Sequence, residues 1–395
     1  MKTTLLILLC WIGSQGISQI DYTKLLVARN TGTKTLYDGS VTRIFGFAET
    51  LGAAINLPGP TLYINEGDSV MIDLWNVSQG APHTIHLHGL DVNQANDGVG
   101  MLSFEVEHMD HGYYRFKAPH AGTYLYHCHV TSAIHVQAGM YGVIVVRPPN
   151  GDPLMNWNAG ENYDQEWIWT SSEIDTVWHN NLYLNHLHDS LNPMMPVEVP
   201  DTYTPQYFMV NGLSDTQLSD PFNYFWAEEN AKAYARMSNL GFLGVRYKFP
   251  STMNARTVSS DGRPLATEVN SDTVEILPGE RYETFLQLGN DPVYTVDVEY
   301  FNLNTQEVES TQTLYIRTTT AELNPINAEL LSVYPVPSLN GIFYTNQVFE
   351  ENYQLIDAQG TILFEGNSQI IDLSGHASGV YFLKSGPQTV RLLIP

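Results

Sequence analysis

Between residues 61 and 78 the chain reads TLYINEGDSVMIDLWNVS, in which apolar and polar side chains alternate, stop at Gly67 and Asp68, and alternate again. Period-two alternation on both sides of a Gly-Asp turn predicts two strands, each burying one face. YYRFKAP (113–119) and MYGVIVVRPP (140–149) repeat the pattern, which ends at the turn formers Pro148, Pro149, Asn150 and Gly151. A second block follows, in EWIWTSSEID (166–175), YFMVNG (207–212), KAYARMSNLG (232–241) and DTVEILPGERYETFLQL (272–288), and runs to about residue 320. The intervening residues 176–206 are irregular and rich in Asn, His, Met and Pro. The tail holds three further Gly-turned, hairpin-like pieces at 331–343, 353–366 and 371–384. Short strands at this spacing predict an all-β chain, with a sandwich over about residues 20–150, a second strand-rich block and a small C-terminal β module.

Composition agrees with strands: 43% of the 395 residues are hydrophobic and 11% aromatic. Charge narrows the partners. With 42 acidic and 18 basic side chains the formal net charge is −24, so nucleic acid and anionic membrane faces are repelled, and small molecules or metal cations are expected instead. The N-terminus MKTTLLILLCWIGSQGISQ has a lysine, an apolar run and small residues, with Gly16 and Ser18 at −3 and −1 to a cut before Gln19. Residues 1–18 therefore read as a secretory signal peptide. No later stretch has the roughly 18 or more apolar residues of a transmembrane helix. Cys10 would leave with the signal, and an exported chain would keep a single thiol, Cys128, in an oxidising compartment where a metal is one way to hold it.

Candidate chemistry is concentrated. Of 13 histidines, nine lie between residues 83 and 135, and none lies between 189 and 375. APHTIHLHG (81–89) carries His83, His86 and His88, and YHCHVTSAIHVQAGM (126–140) carries His127, Cys128, His129, His135 and Met140. On a strand His86 and His88 share one face, as do His127 and His129, while Cys128 points to the other. The pattern predicts two metal sites on opposite sides of one strand. On the Cys128 side, His83 from the first cluster and His135 and Met140 from the following loop complete two imidazoles, one thiolate and a thioether, the ligand set of a blue-copper electron-transfer centre. On the other side four imidazoles without a thiolate suit copper bound for oxygen or nitrogen-oxide chemistry. Zinc is a poorer match, because structural zinc sites favour several cysteines or Cys2His2 at loop spacings. His108, His111 and His120 read as ordinary structural histidines, and Met140 alone would be ordinary packing.

These residues resemble the multicopper oxidase family over about residues 40–320. PGPTLYINEGDSV (58–70) is similar to its opening strand pair, GTYLYHCHV (122–130) to its copper-binding strand, and YFMVNG, ARMSNLG, SSDGRPL and VEILPGERYE to its second domain. The resemblance implies two tandem cupredoxin-like Greek-key β-sandwiches, with a copper-binding domain at 19–150 and a second domain at 151–322 that contains the 176–206 connection. It implies a type 1 copper on His83, Cys128, His135 and Met140, type 2 copper on His86, and a type 3 pair on His88, His127 and His129. Asp97, in NDGVG, is similar to the acidic residue that relays protons. Implied partners are a small-molecule or metal-ion electron donor and dioxygen. Residues 323–395 resemble the C-terminal β-sandwich sorting domain of type IX secretion substrates, through Tyr-Pro-x-Pro, Asp-x-x-Gly and Ser-Gly-x-x-Gly-Val-Tyr in order. That likeness implies passage through the periplasm and across the outer membrane, by the type IX machinery, to a secreted or surface-attached state.

The chain also departs from the family. A complete cluster there takes eight histidines, four from each of two cupredoxin domains, and the second domain here offers none on its corresponding strands. Two-domain members close the cluster between chains of a cyclic trimer. His179, His186 and His188, in WHNNLYLNHLHD (178–189), are the extra ligand candidates and would bring the tally to seven; their alternative reading is a polar surface loop. Cys128 and His135 are seven apart rather than the usual five, which predicts a longer loop over the copper, and a ligating Met140 would lower the potential of the site. Three functions follow: a laccase-like or metal-oxidising copper oxidase, a nitrite-reductase-like enzyme against which His129 speaks, and a non-enzymatic electron-transfer or copper-binding surface protein.

Overall fold

The computed structural model describes residues 20–185, 198–319, 333–334, 341–345, 349, 352–357, 361–377, 379–385 and 388–394. The proposed signal peptide, His186 and His188 lie outside the described residues. The chain divides into two compact units, with the boundary between Thr320 and Ala321.

The first unit contains both sandwiches. Strand Ser69–Asn76 turns Val70, Ile72, Leu74 and Asn76 inward and every intervening side chain outward, as its alternation requires. It lies between Tyr22–Thr35 and His111–Lys117 in a sheet completed by Val41–Ala48. The facing sheet runs Leu62–Asn65, Tyr141–Arg147, Gly122–His127, His86–His88. Leu26, Phe45, Phe47, Leu74, Tyr114 and Tyr126 fill the space between, each at most 1% exposed. Burial of apolar side chains of this size contributes about 1.5–3 kcal/mol each. Tyr22–Thr35 pairs parallel to Ser69–Asn76, and Leu62–Asn65 parallel to Tyr141–Arg147, so the connections cross between sheets instead of forming a simple meander.

The second sandwich stacks a six-stranded sheet on a five-stranded one around Trp169, Tyr247, Val298 and Tyr300. It is fastened to the first by a buried polar network. The Arg236 guanidinium is 0% exposed and donates to Glu166 at 2.7 Å, Glu283 at 2.5 Å and Thr123 Oγ1 at 3.1 Å. Thr123 belongs to strand Gly122–His127, so the network fixes the strand that carries the candidate ligands. A buried ion pair that loses one member leaves an uncompensated charge, typically at a cost of about 3–5 kcal/mol.

The second unit is also all-β among the described residues. A three-stranded sheet (Val333–Tyr334, Ile342–Thr345, Ile370–Asp372) and a four-stranded sheet (Ile362–Gly366, Tyr353–Asp357, Gly379–Ser385, Gln388–Ile394) share a core of Phe343, Tyr353, Leu355, Leu383 and Leu392.

Candidate metal centres

His86–His88 is a strand of three residues held antiparallel to the end of Gly122–His127, with His86 opposite His127 and His88 opposite Leu125. Leu87 between the two histidines is buried in the core, so both imidazoles emerge on the other face. The His127-Cys128-His129 run keeps the same alternation: Cys128 is 0% exposed, while its neighbours are only partly covered. Regular pairing stops at His127 rather than continuing to Val130. The Cys128 N–H still bonds to Met140 O at 3.0 Å, but the His129 N–H turns to Thr84 Oγ1 at 2.9 Å.

On the core side, Cys128 Sγ lies 3.2 Å from His135 Nδ1 and 3.6 Å from His83 Nδ1. All three ligand atoms fall within 4.8 Å of one another, and all three residues are buried. His83 is placed by a two-way backbone bridge to Val106. His135 sits on a short helix, Ser132–Gln137, where a loop was expected. Thr131 takes a left-handed conformation (φ 44°), and its carbonyl accepts the Ile134 and His135 N–H groups, which starts the helical turn. The seven-residue spacing is thereby folded into a turn that points His135 at the thiol, and Met140 N–H closes it on His135 O at 2.9 Å. Met140 is 0% exposed and packs in the same core cluster as Cys128.

On the other side, His86, His88 and His127 present ligand atoms within 4.8 Å of one another, and His88 Nδ1 and His127 Nε2 are 3.2 Å apart. His86 Nδ1–H donates to Asp97 O at 2.7 Å, which turns Nε2 toward the group, and the Asp97 carboxylate lies 3.6 Å from the same nitrogen. His127 Nδ1–H donates to the Cys128 carbonyl at 3.0 Å. The His129 ring is 5.2 Å from that of His86 but its ligand atom stands outside the three-histidine group.

Electrostatics favour the metal-binding forms. Burial pushes His127 down to about 3 and, with help from Arg281 and His86, His88 down to about 4, so both imidazoles are neutral at pH 7. Burial pushes the Cys128 thiol up to about 11. A thiol that resists ionisation and is faced by two imidazole nitrogens is one whose thiolate needs a cation beside it. Soft sulfur with borderline imidazole, and no carboxylate in the group, fits copper.

Among the described residues, His108, His111 and His179 belong to neither group. His108 bonds to Ser78 O at 2.7 Å, and His111 bonds to Asp73 and stacks on Trp75. His179 is buried against the backbone, with Nδ1 2.6 Å from Arg43 O and Nε2 3.0 Å from Gln137 O, and it joins neither group. Residues not expected to matter surround the sites. A methyl group on Gly279 of the second sandwich would sit 3.1 Å from His88 Cε1, and Arg281 Nη2 presses on Gly89. The second sandwich therefore meets His88 with a glycine and an arginine instead of imidazoles. A cleft of about 650 Å³ opens beside His83 and His135, with Arg43, Phe45 and Asn185 among its walls.

Two β-sandwiches, a thiol-bearing His2Cys group on one face of a strand and a histidine-only group on the other define a copper protein of the cupredoxin type. Residues 39–151 match the multicopper oxidase family. The chain is similar to L-ascorbate oxidase of Cucumis sativus, 25% identical over 267 residues that cover 62% of this chain and 42% of that protein. It is also similar to the copper-containing nitrite reductase of Alcaligenes xylosoxydans xylosoxydans, 30% identical over 169 residues, 40% of this chain and 47% of that one. The chain thus spans less than half the length of these curated relatives. In fold it matches the blue copper oxidase from Nitrosomonas europaea, with TM-score 0.58, 24% identity, 75% of this chain and 86% of that one covered.

Proposed function

We propose that this protein is a copper-dependent oxidoreductase of multicopper-oxidase type, which takes electrons from a small donor at the Cys128 face and delivers them to dioxygen at the histidine face. The observation that carries this reading is the back-to-back placement of the two ligand groups on consecutive residues, His127 and Cys128. Copper, when bound, supplies one-electron transfer at the thiolate and dioxygen reduction at the histidines. The chain's own part is wiring and positioning. Cys128 is covalently continuous with His127 and His129, and the His127 Nδ1 bond to the Cys128 carbonyl adds a second short route. The Cys128 thiol is itself buried, while the partly open histidine face would admit a small acceptor. Asp97, at the rim beside His86, is placed to carry protons toward the acceptor.

The full ligand assignment extends this reading: His83, Cys128, His135 and Met140 for type 1 copper, and His86, His88, His127 and His129 for type 2 and type 3 copper, with ligands from a neighbouring chain of a homotrimer completing the cluster. The domain plan is a copper-binding sandwich at 19–150, a ligand-free sandwich at 151–322 and a sorting module at 323–395 that sends the protein to the cell surface by the type IX route. A nitrite-reductase-like reading is favoured by one observation, the compact group of three histidines from which His129 stands apart. Purified, copper-loaded protein separates the two. Dioxygen uptake coupled to donor oxidation at four electrons per dioxygen supports the oxidase, nitrite reduction with one blue and one ordinary copper supports the second reading, and neither activity leaves an electron carrier.

A further inference from the structure

The cleft beside His83 and His135 differs in charge from the protein around it. The chain carries 42 acidic against 18 basic side chains, yet among the described residues no carboxylate lines this cleft, and Arg43 is the permanently charged residue of its described wall. Neutral groups hold the guanidinium in place. Its Nε–H donates to Asn30 O at 2.9 Å, and Nη1 donates to Asn181 Oδ1 at 2.9 Å and Asn185 Oδ1 at 2.5 Å. Carboxamide and carbonyl oxygens orient the fork without cancelling its charge. Among the described residues no carboxylate forms an ion pair with Arg43, and its Nη2 makes no hydrogen bond. His179 steadies the backbone behind it by bonding to Arg43 O. The guanidinium carbon lies 5.1 Å from the Phe45 ring centroid, and the Phe45 ring meets that of His135 edge-on at 5.6 Å. A planar anion seated on Arg43 would therefore lie along an aromatic wall that leads to His135.

We infer that the electron donor is a small aromatic hydroxy acid, whose carboxylate docks on Arg43 and whose ring hydroxyl is oxidised at the His83/His135 edge. This rests on the copper oxidoreductase reading and names its substrate class: metal cations are disfavoured, because among the described residues they would meet a guanidinium and no carboxylate ligand. Each ring hydroxyl gives up one electron to the centre at Cys128 and one proton to cleft water, leaving a phenoxyl radical. Four such events supply the four electrons that, with four protons, convert one dioxygen to two waters. Arg43 is the specificity-determining residue.

The test uses a matched pair of rings, 4-hydroxy-3,5-dimethoxybenzoate and 2,6-dimethoxyphenol, which differ only in the carboxylate, and ferrous ion as the metal donor. Binding is measured by calorimetry on reduced, anaerobic copper protein, and KM is measured separately under air. The wild type is expected to prefer the carboxylated ring by about tenfold in both, and Arg43→Gln is expected to reduce that ratio to about one, with partial recovery in Arg43→Lys. Equal binding of the two rings by the wild type, a ratio untouched by Arg43→Gln, or ferrous ion oxidised with a higher kcat/KM than either ring overturns the inference. The blue absorption of the same samples is read independently: its absence from wild type refutes the copper reading, whereas its presence with no Arg43 dependence refutes only the donor class.

Discussion

The two faces of the His127-Cys128-His129 run place similar ligands in opposite surroundings. On one face Cys128, His83, His135 and Met140 are all 0% exposed and packed into the sandwich core. On the other, His86 and His88 are only partly covered, Asp97 stands at the rim, and the second sandwich contributes Gly279 and Arg281. A closed set of this kind would hold a metal whose environment changes little as electrons come and go. An open set of neutral imidazoles leaves room for something to bind. One strand can serve both because side chains one residue apart emerge on opposite faces while their backbones remain joined.

The sharpest way to break this comparison is to remove one face and watch the other. Cys128→Ser should abolish the intense Cu–thiolate absorption expected at roughly 600 nm, and all donor oxidation, while copper persists on the histidine face. His86→Ala with His127→Ala should do the converse: the blue band survives, and turnover falls by at least about a hundredfold with loss of the ordinary copper signal. Loss of both spectroscopic signals in either variant would show that the faces are not separate sites.

The next effect concerns stability rather than chemistry. Arg236→Met takes the ion-pair partner from the buried Glu283 carboxylate and one of two from Glu166, and denaturant unfolding should show a loss of about 3–5 kcal/mol. The folded fraction should still load copper, since Arg236 touches no ligand. A smaller effect follows from protonation. His88 and His127 have folded-state values of about 4 and about 3, below their ordinary 6.5, so the unfolded state binds more protons than the folded one at mildly acid pH. Metal-free protein should hold its full stability above about pH 6.5 and lose it progressively as pH falls toward 4 and below, with His88→Gln flattening that decline. The smallest effect is expected at Asp97→Asn, which should leave copper content intact and shift only the pH profile of turnover.

The candidate copper ligands could be picked out in the sequence because they are local. Eight of them lie on two short stretches, and strand alternation sorts His86, His88, His127 and His129 from Cys128. The strands were legible for the same reason, as Ser69–Asn76 shows by burying every second residue. What escaped depends on distant contacts. The helix at 132–137 follows from the left-handed turn at Thr131, and a threonine there carries no distinctive signal. Thr84 reaches the His129 N–H across 45 residues, and Gly279 reaches His88 from another sandwich. His179, a candidate ligand as one of the histidines outside the first domain, has its ring nitrogens near the carbonyl oxygens of Arg43 and Gln137, whose positions only the fold supplies. Arg43 itself looks like any surface arginine until Asn181 and Asn185 are seen holding it over the cleft.

The most direct test is the amount and kind of copper bound per chain, measured by elemental analysis with optical and electron-paramagnetic-resonance spectra on one sample of the purified protein. Two separate sites require more than one copper per chain, with a single blue signal accompanied by copper that survives Cys128→Ser. A single copper per chain, or copper that is lost entirely with the thiol, would contradict the account.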